Sequence, residues 1–242
     1  MQIVVDGLLT HYQSIGDKPK KLLILPGWMH TSDAWLSIAK ALSEKYAVVI
    51  LDLPGFGKTQ KPDTTYSIYD YATFVQHFLD KIEAKHVTLL GHSFGGRLGI
   101  ILAAKTDYVT NLVLVDAAGV EKRSTGAKIK IMFFKFIKIF LPKHTVEKLR
   151  GNVGSQDYKT SGEMREIFIK VINEDLTYLL SEIVTPTLLI WGNNDMEVPE
   201  WKTKLMKKSI PRVKLRVVWG SGHNPQSEKP KEFMEILTEY LT

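Results

Sequence analysis

The stretch Val87–Ala104, VTLLGHSFGGRLGIILAA, constrains this chain more than any other. A short apolar run leads into Gly91-His92-Ser93-Phe94-Gly95-Gly96, and a second apolar stretch with helical spacing follows. The pattern reads as a strand, a very tight turn and a helix, with a serine at the tip. Small residues two positions either side of Ser93 match G-x-S-x-G, a turn that forces a non-glycine residue into a sparsely populated backbone region. Such strain costs on the order of 1–3 kcal/mol and survives only where the neighbours carry no Cβ to collide. Gly91 and Gly95 meet that condition. The turn holds the Ser93 hydroxyl clear of the backbone, with N–H groups at the start of the next helix aimed at whatever it attacks.

Around this stretch, strand and helix patterns alternate. Asp6-Gly7 is a hairpin signal between Ile3–Val5 and Leu8–Ser14. Lys21–Leu25 and Tyr46–Leu51 are continuous apolar runs, as expected of strands buried on both faces. Thr110–Val115, Pro186–Trp191 and Val213–Val218 read as later strands. Helical spacing marks Ser32–Lys45, Ser67–Ala84, Glu200–Lys208 and a final helix from Glu228 to Leu241. The alternation predicts an α/β fold: a mostly parallel twisted sheet of about eight strands with helices on both faces. It stops between Val120 and Glu182, which has no apolar strand run and reads as several helices. The expected organisation is a core formed by residues 1–119 and 183–242, with residues 120–182 as a helical cap inserted at a strand end, where such sheets bind ligands.

Composition narrows the function classes. A chain of 242 residues can bury a substantial core, and without cysteine it has no disulfide framework, thiolate metal site or thiol nucleophile. The opening MQIVVDGLLT lacks the basic flank of a signal peptide, and the apolar-rich run Ile129–Leu141 is too short and too interrupted by lysine to span a bilayer. The expectation is a soluble, cytoplasmic protein. Thirty-two basic against 26 acidic side chains give a net charge of +6, a modest excess with no zinc-finger spacing, RNP-like aromatic motif or long basic block, so nucleic acid is not an expected partner. The glycines do not form G-x-G-x-x-G opening a helix, and no His, Asp or Glu cluster has metal spacing. Neither a cofactor nor a metal is expected.

Loops that follow parallel strands gather at one edge of a sheet, and three of them carry residues that can act together. One presents Ser93, the second is WGNNDMEVP at Trp191–Pro199 with Asp195, and the third is Gly220-Ser221-Gly222-His223-Asn224. A serine hydroxyl needs a base to take its proton, histidine titrates near neutrality, and a carboxylate fixes the imidazole tautomer and stabilises the imidazolium. Ser93 is the expected nucleophile, His223 the general base and then acid, and Asp195 the orienting carboxylate. Asp116, also at a strand end, is the alternative partner for the histidine. Glu197, past the turn, reads as a surface residue. His92 reads as a neighbour packed beside the tight turn, and His30 as a residue at the pocket mouth. Asp52 and Gly55–Gly57 read as a structural turn.

LPGW at Leu25–Trp28, DLPGFGKT at Asp52–Thr59, GHSFGG at Gly91–Gly96, WGNNDMEVP and GSGHNPQSEKP at Gly220–Pro230 resemble, in that order, the motifs of the α/β-hydrolase superfamily over essentially the whole chain. The resemblance implies an oxyanion hole made by the backbone N–H groups of Phe94 and Trp28. The chain departs from many relatives in having Pro26-Gly27 where they have His-Gly. The resemblance also implies a cap over the site. There KIKIMFFKFIKIFLPKH sets Met132, Phe133 and Phe136 on a broad apolar face, with Lys128, Lys135 and Lys138 opposite. The ordinary reading lays that face on the substrate pocket with the lysines in water, and the competing one is an interfacial helix that meets lipid. Serine at the elbow argues against the carboxylate-nucleophile dehalogenases and epoxide hydrolases. The expectation is a carboxylesterase acting on a small-molecule ester with limited charge. C–C bond hydrolase, thioesterase or lipase-like chemistry, or a ligand-binding receptor without turnover, are the alternatives.

Overall fold

The computed structural model describes residues 1–121 and 161–241. The chain enters as a hairpin of β1 (Gln2–Val5) and β2 (Leu8–Ile15), turned by Asp6 and Gly7 at φ 50° and 80°. Two successive positive φ angles are what a two-residue hairpin turn requires. The later strands are β3 (Lys21–Leu25), β4 (Ala47–Leu51), β5 (Val87–His92), β6 (Val109–Val115), β7 (Thr187–Gly192) and β8 (Val213–Val218). All eight form one sheet in the order β1-β2-β4-β3-β5-β6-β7-β8. Strand β2 runs antiparallel to β1 and β4, and every other pairing is parallel. The α/β class and the mostly parallel sheet are as the alternation predicts.

Two hydrophobic cores explain the continuous apolar runs. Successive strand side chains point to opposite faces. Leu23 and Leu25 of β3 join Leu51, Leu89 and Leu114 beneath helices α2 (Ile68–Lys81) and α3 (Phe94–Lys105). Leu22 and Ile24 join Ile50, Leu90 and Ile190 on the other face, under α1 (Leu36–Leu42) and the C-terminal helix. Helix α2 starts at a capping box in which Ser67 Oγ accepts from Asp70 N–H and the Asp70 side chain accepts from Ser67 N–H.

One helix differs from the pattern-based expectation. Ser32–Lys45 is not one α-helix. Ser32–Trp35 is a 3₁₀ turn whose first N–H donates to Asp52 Oδ1 (2.6 Å), and α geometry holds only from Leu36 to Leu42. Between β7 and β8 lies α5 (Glu200–Ser209), and after β8 come α6 (Pro225–Glu228) and α7 (Pro230–Leu241). Lys229 interrupts at φ −136° and ψ 57°, because the ring of Pro230 bars the residue before it from helical geometry.

Residues 122–160, which include Met132, Phe133 and Phe136, lie outside the described residues. The chain resumes with a 3₁₀ turn at Gly162–Met164, α4 (Arg165–Ile172) and a 3₁₀ helix at Thr177–Glu182 that packs on α3 and α5. No helix among the described residues is long and apolar enough to cross a membrane.

Candidate active site

Ser93 sits between β5 and α3 with φ 49° and ψ −107°, the one strained residue of the turn. Both flanking glycines are required by close approach. A Cβ at Gly91 would meet the backbone of Gly95 and Gly96, and a Cβ at Gly95 would run into the Leu25 carbonyl oxygen and lie 2.8 Å from that of Pro26. The helix start is thus pressed onto the end of β3. Hydrogen bonds fix the serine backbone: its N–H donates to Val115 O (3.0 Å), and its carbonyl accepts from Gly96 and Ala118 N–H. The Phe94 ring packs edge-on against Trp28, Phe56 and Tyr71, which ties the turn to the loop after β3. The Trp28 indole N–H is occupied by Ser161 Oγ at 3.1 Å.

The loops after β7 and β8 bring the other two expected residues to the same edge. His223 Nδ1–H donates to Asp195 Oδ2 at 2.8 Å. Asp195 Oδ1 accepts from Glu197 N–H (2.7 Å) and Val198 N–H (3.0 Å). Burial works against the charge of Asp195, but His223 and these two N–H groups outweigh it and hold the carboxyl below its ordinary range. The His223 loop is bracketed by Glu228, whose carboxylate accepts from Gly222 N–H (2.7 Å) and Asn224 N–H (3.0 Å). Ser93 and His223 line one cavity of about 410 Å³ together with Trp28 and Phe94.

Asp116 stands close by, at φ 41° at the end of β6. One carboxylate oxygen from each of Asp116 and Asp195 and a ring nitrogen of His223 lie within 4.8 Å of one another. A metal would need these same atoms, but the pairing of His223 Nδ1 with Asp195 already uses two of them. Asp116 Oδ1 accepts from Gly192 N–H (3.0 Å), while Oδ2 is buried and finds no hydrogen-bond partner among the described residues. Burial, and then the Asp195 charge, push the Asp116 carboxyl up to about 10, so at neutral pH it is uncharged.

His92 and His30 form a stacked pair with ring centroids 5.7 Å apart. His92 is fully buried, and its Nε2–H donates to the His223 carbonyl (2.8 Å), so it anchors the loop that carries His223. Burial, followed by the charge of His223, pushes His92 down to about 3. Gly27 makes room for this ring, since a Cβ there would lie 2.8 Å from His92 Nδ1. His30 is half-buried behind that ring and is not among the residues lining the cavity around Ser93.

Glu197 is exposed, as expected of a surface residue, yet its Oε2 lies 3.5 Å from His223 Nε2, and it lines the cavity. The cavity wall also has a charged side that motif reading did not single out. Buried Arg97, one helical turn after Ser93, donates to the carbonyls of Ile172 (3.3 Å) and Glu174 (2.8 Å) and to Glu121 Oε1 (3.4 Å). Lys202 on α5 donates to the same Glu121 oxygen at 2.9 Å. Phe168 and Ile172 of α4 continue the apolar wall begun by Trp28 and Phe94.

Residues 20–135 match the family model described as the alpha/beta hydrolase fold. The chain is 25% identical to an uncharacterized hydrolase, YugF, of Bacillus subtilis, over 99% of this chain and 97% of that protein. It is 26% identical to the monoacylglycerol lipase ABHD6 of Mus musculus, covering 93% of this chain and 76% of the relative. Among solved structures, a membrane phospholipase A described as a bacterial virulence factor superposes with a TM-score of 0.81 at 26% identity, covering 100% of this chain and 84% of the other.

Proposed function

Because this chain is an α/β-hydrolase-fold protein, we propose that it is a serine hydrolase cleaving a carboxylic ester of a small to medium apolar substrate through an acyl-enzyme. The observation that carries this is the His223 imidazole, tied at Nδ1 to Asp195 and lining one cavity with the strained Ser93. Ser93 Oγ attacks the ester carbonyl carbon while its proton passes to His223 Nε2. Asp195 holds the ring in the tautomer whose Nε2 accepts the proton, and stabilises the imidazolium that results. The backbone N–H groups of Phe94 and Trp28 receive the developing oxyanion, each worth about 2.7–4 kcal/mol of transition-state stabilisation. Phe94 is the first residue of α3, where N–H groups have no intrahelical acceptor. Collapse of the intermediate breaks the bond to the alcohol, which leaves with the proton from Nε2. Water, deprotonated by the same nitrogen, then releases the acid and restores Ser93.

An ester of limited charge suits the cavity, because its charged side chains are already paired with one another while Trp28, Phe94, Phe168 and Ile172 offer apolar surface. The lipase and phospholipase among the similar proteins support an acyl ester. The test is labelling by a fluorophosphonate probe alongside hydrolysis of p-nitrophenyl esters of graded chain length. Wild type labels and turns over, and Ser93→Ala does neither, losing about 10⁴-fold or more in kcat. A folded wild type that neither labels nor hydrolyses any ester would defeat the proposal in favour of a ligand-binding role.

A further inference from the structure

Both ring nitrogens of His223 face carboxylates. Asp195 Oδ2 accepts from Nδ1 at 2.8 Å, while Glu197 Oε2 stands 3.5 Å from Nε2, the nitrogen that must exchange a proton with Ser93. The two acids are held as a unit, since Glu197 N–H donates to Asp195 Oδ1. Glu197 is 46% exposed in its side chain, so its carboxylate keeps its hydration and reaches the ring from the solvent side of the cavity. Resting on the triad chemistry proposed above, we propose that Glu197 is a second electrostatic partner of His223, stabilising the ring whenever Nε2 carries a proton.

The two ring states fix the direction of the effect. With Nε2 unprotonated, its lone pair confronts a carboxylate. With Nε2 protonated, the same carboxylate faces an N–H of a cation. Glu197 therefore favours the imidazolium in two settings. In the resting enzyme it keeps the proton on the ring to higher pH, and in the transition state it helps the charge that forms as Ser93 surrenders its proton. The other titratable groups facing His223 are Asp195 on the loop after β7, Asp116 at the end of β6, His92 on β5 and His30 on the loop after β3, while Arg97, Glu121 and Lys202 line the same cavity paired with one another and Glu228 is bonded to the loop backbone. Asp195 is engaged at Nδ1, Asp116 is uncharged, and both histidines disfavour a second positive charge. Glu197 is the group among these that faces Nε2 with an opposing charge.

Glu197→Gln keeps the size of the side chain and removes the charge. Two effects should appear together: the acid limb of the kcat/KM profile moves to lower pH by about half a unit or more, and the plateau kcat falls about three- to tenfold. KM changes little. A side chain needed only for packing would lower the plateau without moving the limb. The ring itself can be followed by nuclear magnetic resonance in a Ser93→Ala background, with and without Glu197→Gln. This readout needs no turnover, so it separates the proposal from the esterase reading: a wild type without esterase activity speaks against the latter alone. The His223 titration midpoint should drop when the glutamate is replaced. A midpoint that stays put or rises overturns the proposal.

Discussion

Asp116→Asn offers a quantitative test of how the two neighbouring acids divide their roles. Asp116 is buried, its Oδ2 has no hydrogen-bond partner among the described residues, and its carboxyl is pushed up to about 10. In the unfolded chain the same group titrates at about 3.9. Between those values the folded protein holds a proton that the unfolded one has released. The native state therefore binds more protons, and stability falls as pH rises through that window, by up to about 1.4 kcal/mol per pH unit. From pH 5 to pH 8 the loss from this group alone reaches about 4 kcal/mol, a large part of the 5–15 kcal/mol typical of a domain. Asparagine is nearly isosteric and has no proton to gain. Its oxygen can still accept the Gly192 N–H, and its NH₂ faces Asp195, where it can donate to the carboxylate.

The measurement is urea unfolding of wild type and Asp116→Asn at pH 5, 6.5 and 8. The difference in stability between the two should grow in favour of the variant as pH rises, approaching about 4 kcal/mol more at pH 8 than at pH 5. Subtracting the two proteins cancels the titrating groups that do not interact with Asp116. Ester hydrolysis by Asp116→Asn should stay within about threefold of wild type, whereas Asp195→Asn, which loses the tautomer control of His223, should cost about 10⁴ in kcat. Parallel pH dependences would refute the uncharged Asp116. A loss of activity at 116 equal to that at 195 would refute the assignment of Asp195 as the orienting acid.

Gly95→Ala drives a methyl group into the Leu25 carbonyl, with backbone on both sides and no flexible side chain to yield. It should destabilise the protein by about 3 kcal/mol in chemical denaturation and sharply slow fluorophosphonate labelling, because α3 must move off β3. Arg97→Gln leaves the Ile172 and Glu174 carbonyls short of their donor and Glu121 Oε1 with Lys202 alone. A loss of about 2–3 kcal/mol is expected by the same measurement, and an unchanged midpoint would mean that solvent replaces the guanidinium at no cost.

Features governed by local physical signals are legible in the sequence. Strands β3 to β7 are buried on both faces, so their apolar runs stand out, and the observed ends differ from the expected ones by about a residue. The elbow is equally legible, because only glycine can occupy positions 91 and 95 when backbone from Gly95, Leu25 and Pro26 lies within Cβ reach. The division at Lys229 is also readable, since Pro230 is plain in the sequence and acts on the residue before it. The final helix, expected from about Glu228, begins at Pro230, two residues later.

The acids are a different matter, because Asp116 and Asp195 are both aspartates just past strand ends, in nearly the same context. Asp195 differs from Asp116 in the residues after it. The chain turns back within two residues, so that the N–H groups of 197 and 198 meet its Oδ1 and leave Oδ2 for His223. That same turn makes Glu197 a neighbour of the imidazole. An aspartate accepting from N–H groups two and three residues on is the local pattern of an Asx turn. Asp195-Met196-Glu197-Val198 carries that signal: the fold-back that secures Asp195 also delivers the side chain two positions later to the same side of the site. Asp116 has no such turn, and burial, followed by the charge of Asp195, keeps it uncharged. The difference between one ionised and one neutral carboxyl, less than 5 Å apart, thus comes from their surroundings: His223 and two backbone N–H groups favour the charge on Asp195, while burial and the Asp195 charge disfavour it on Asp116.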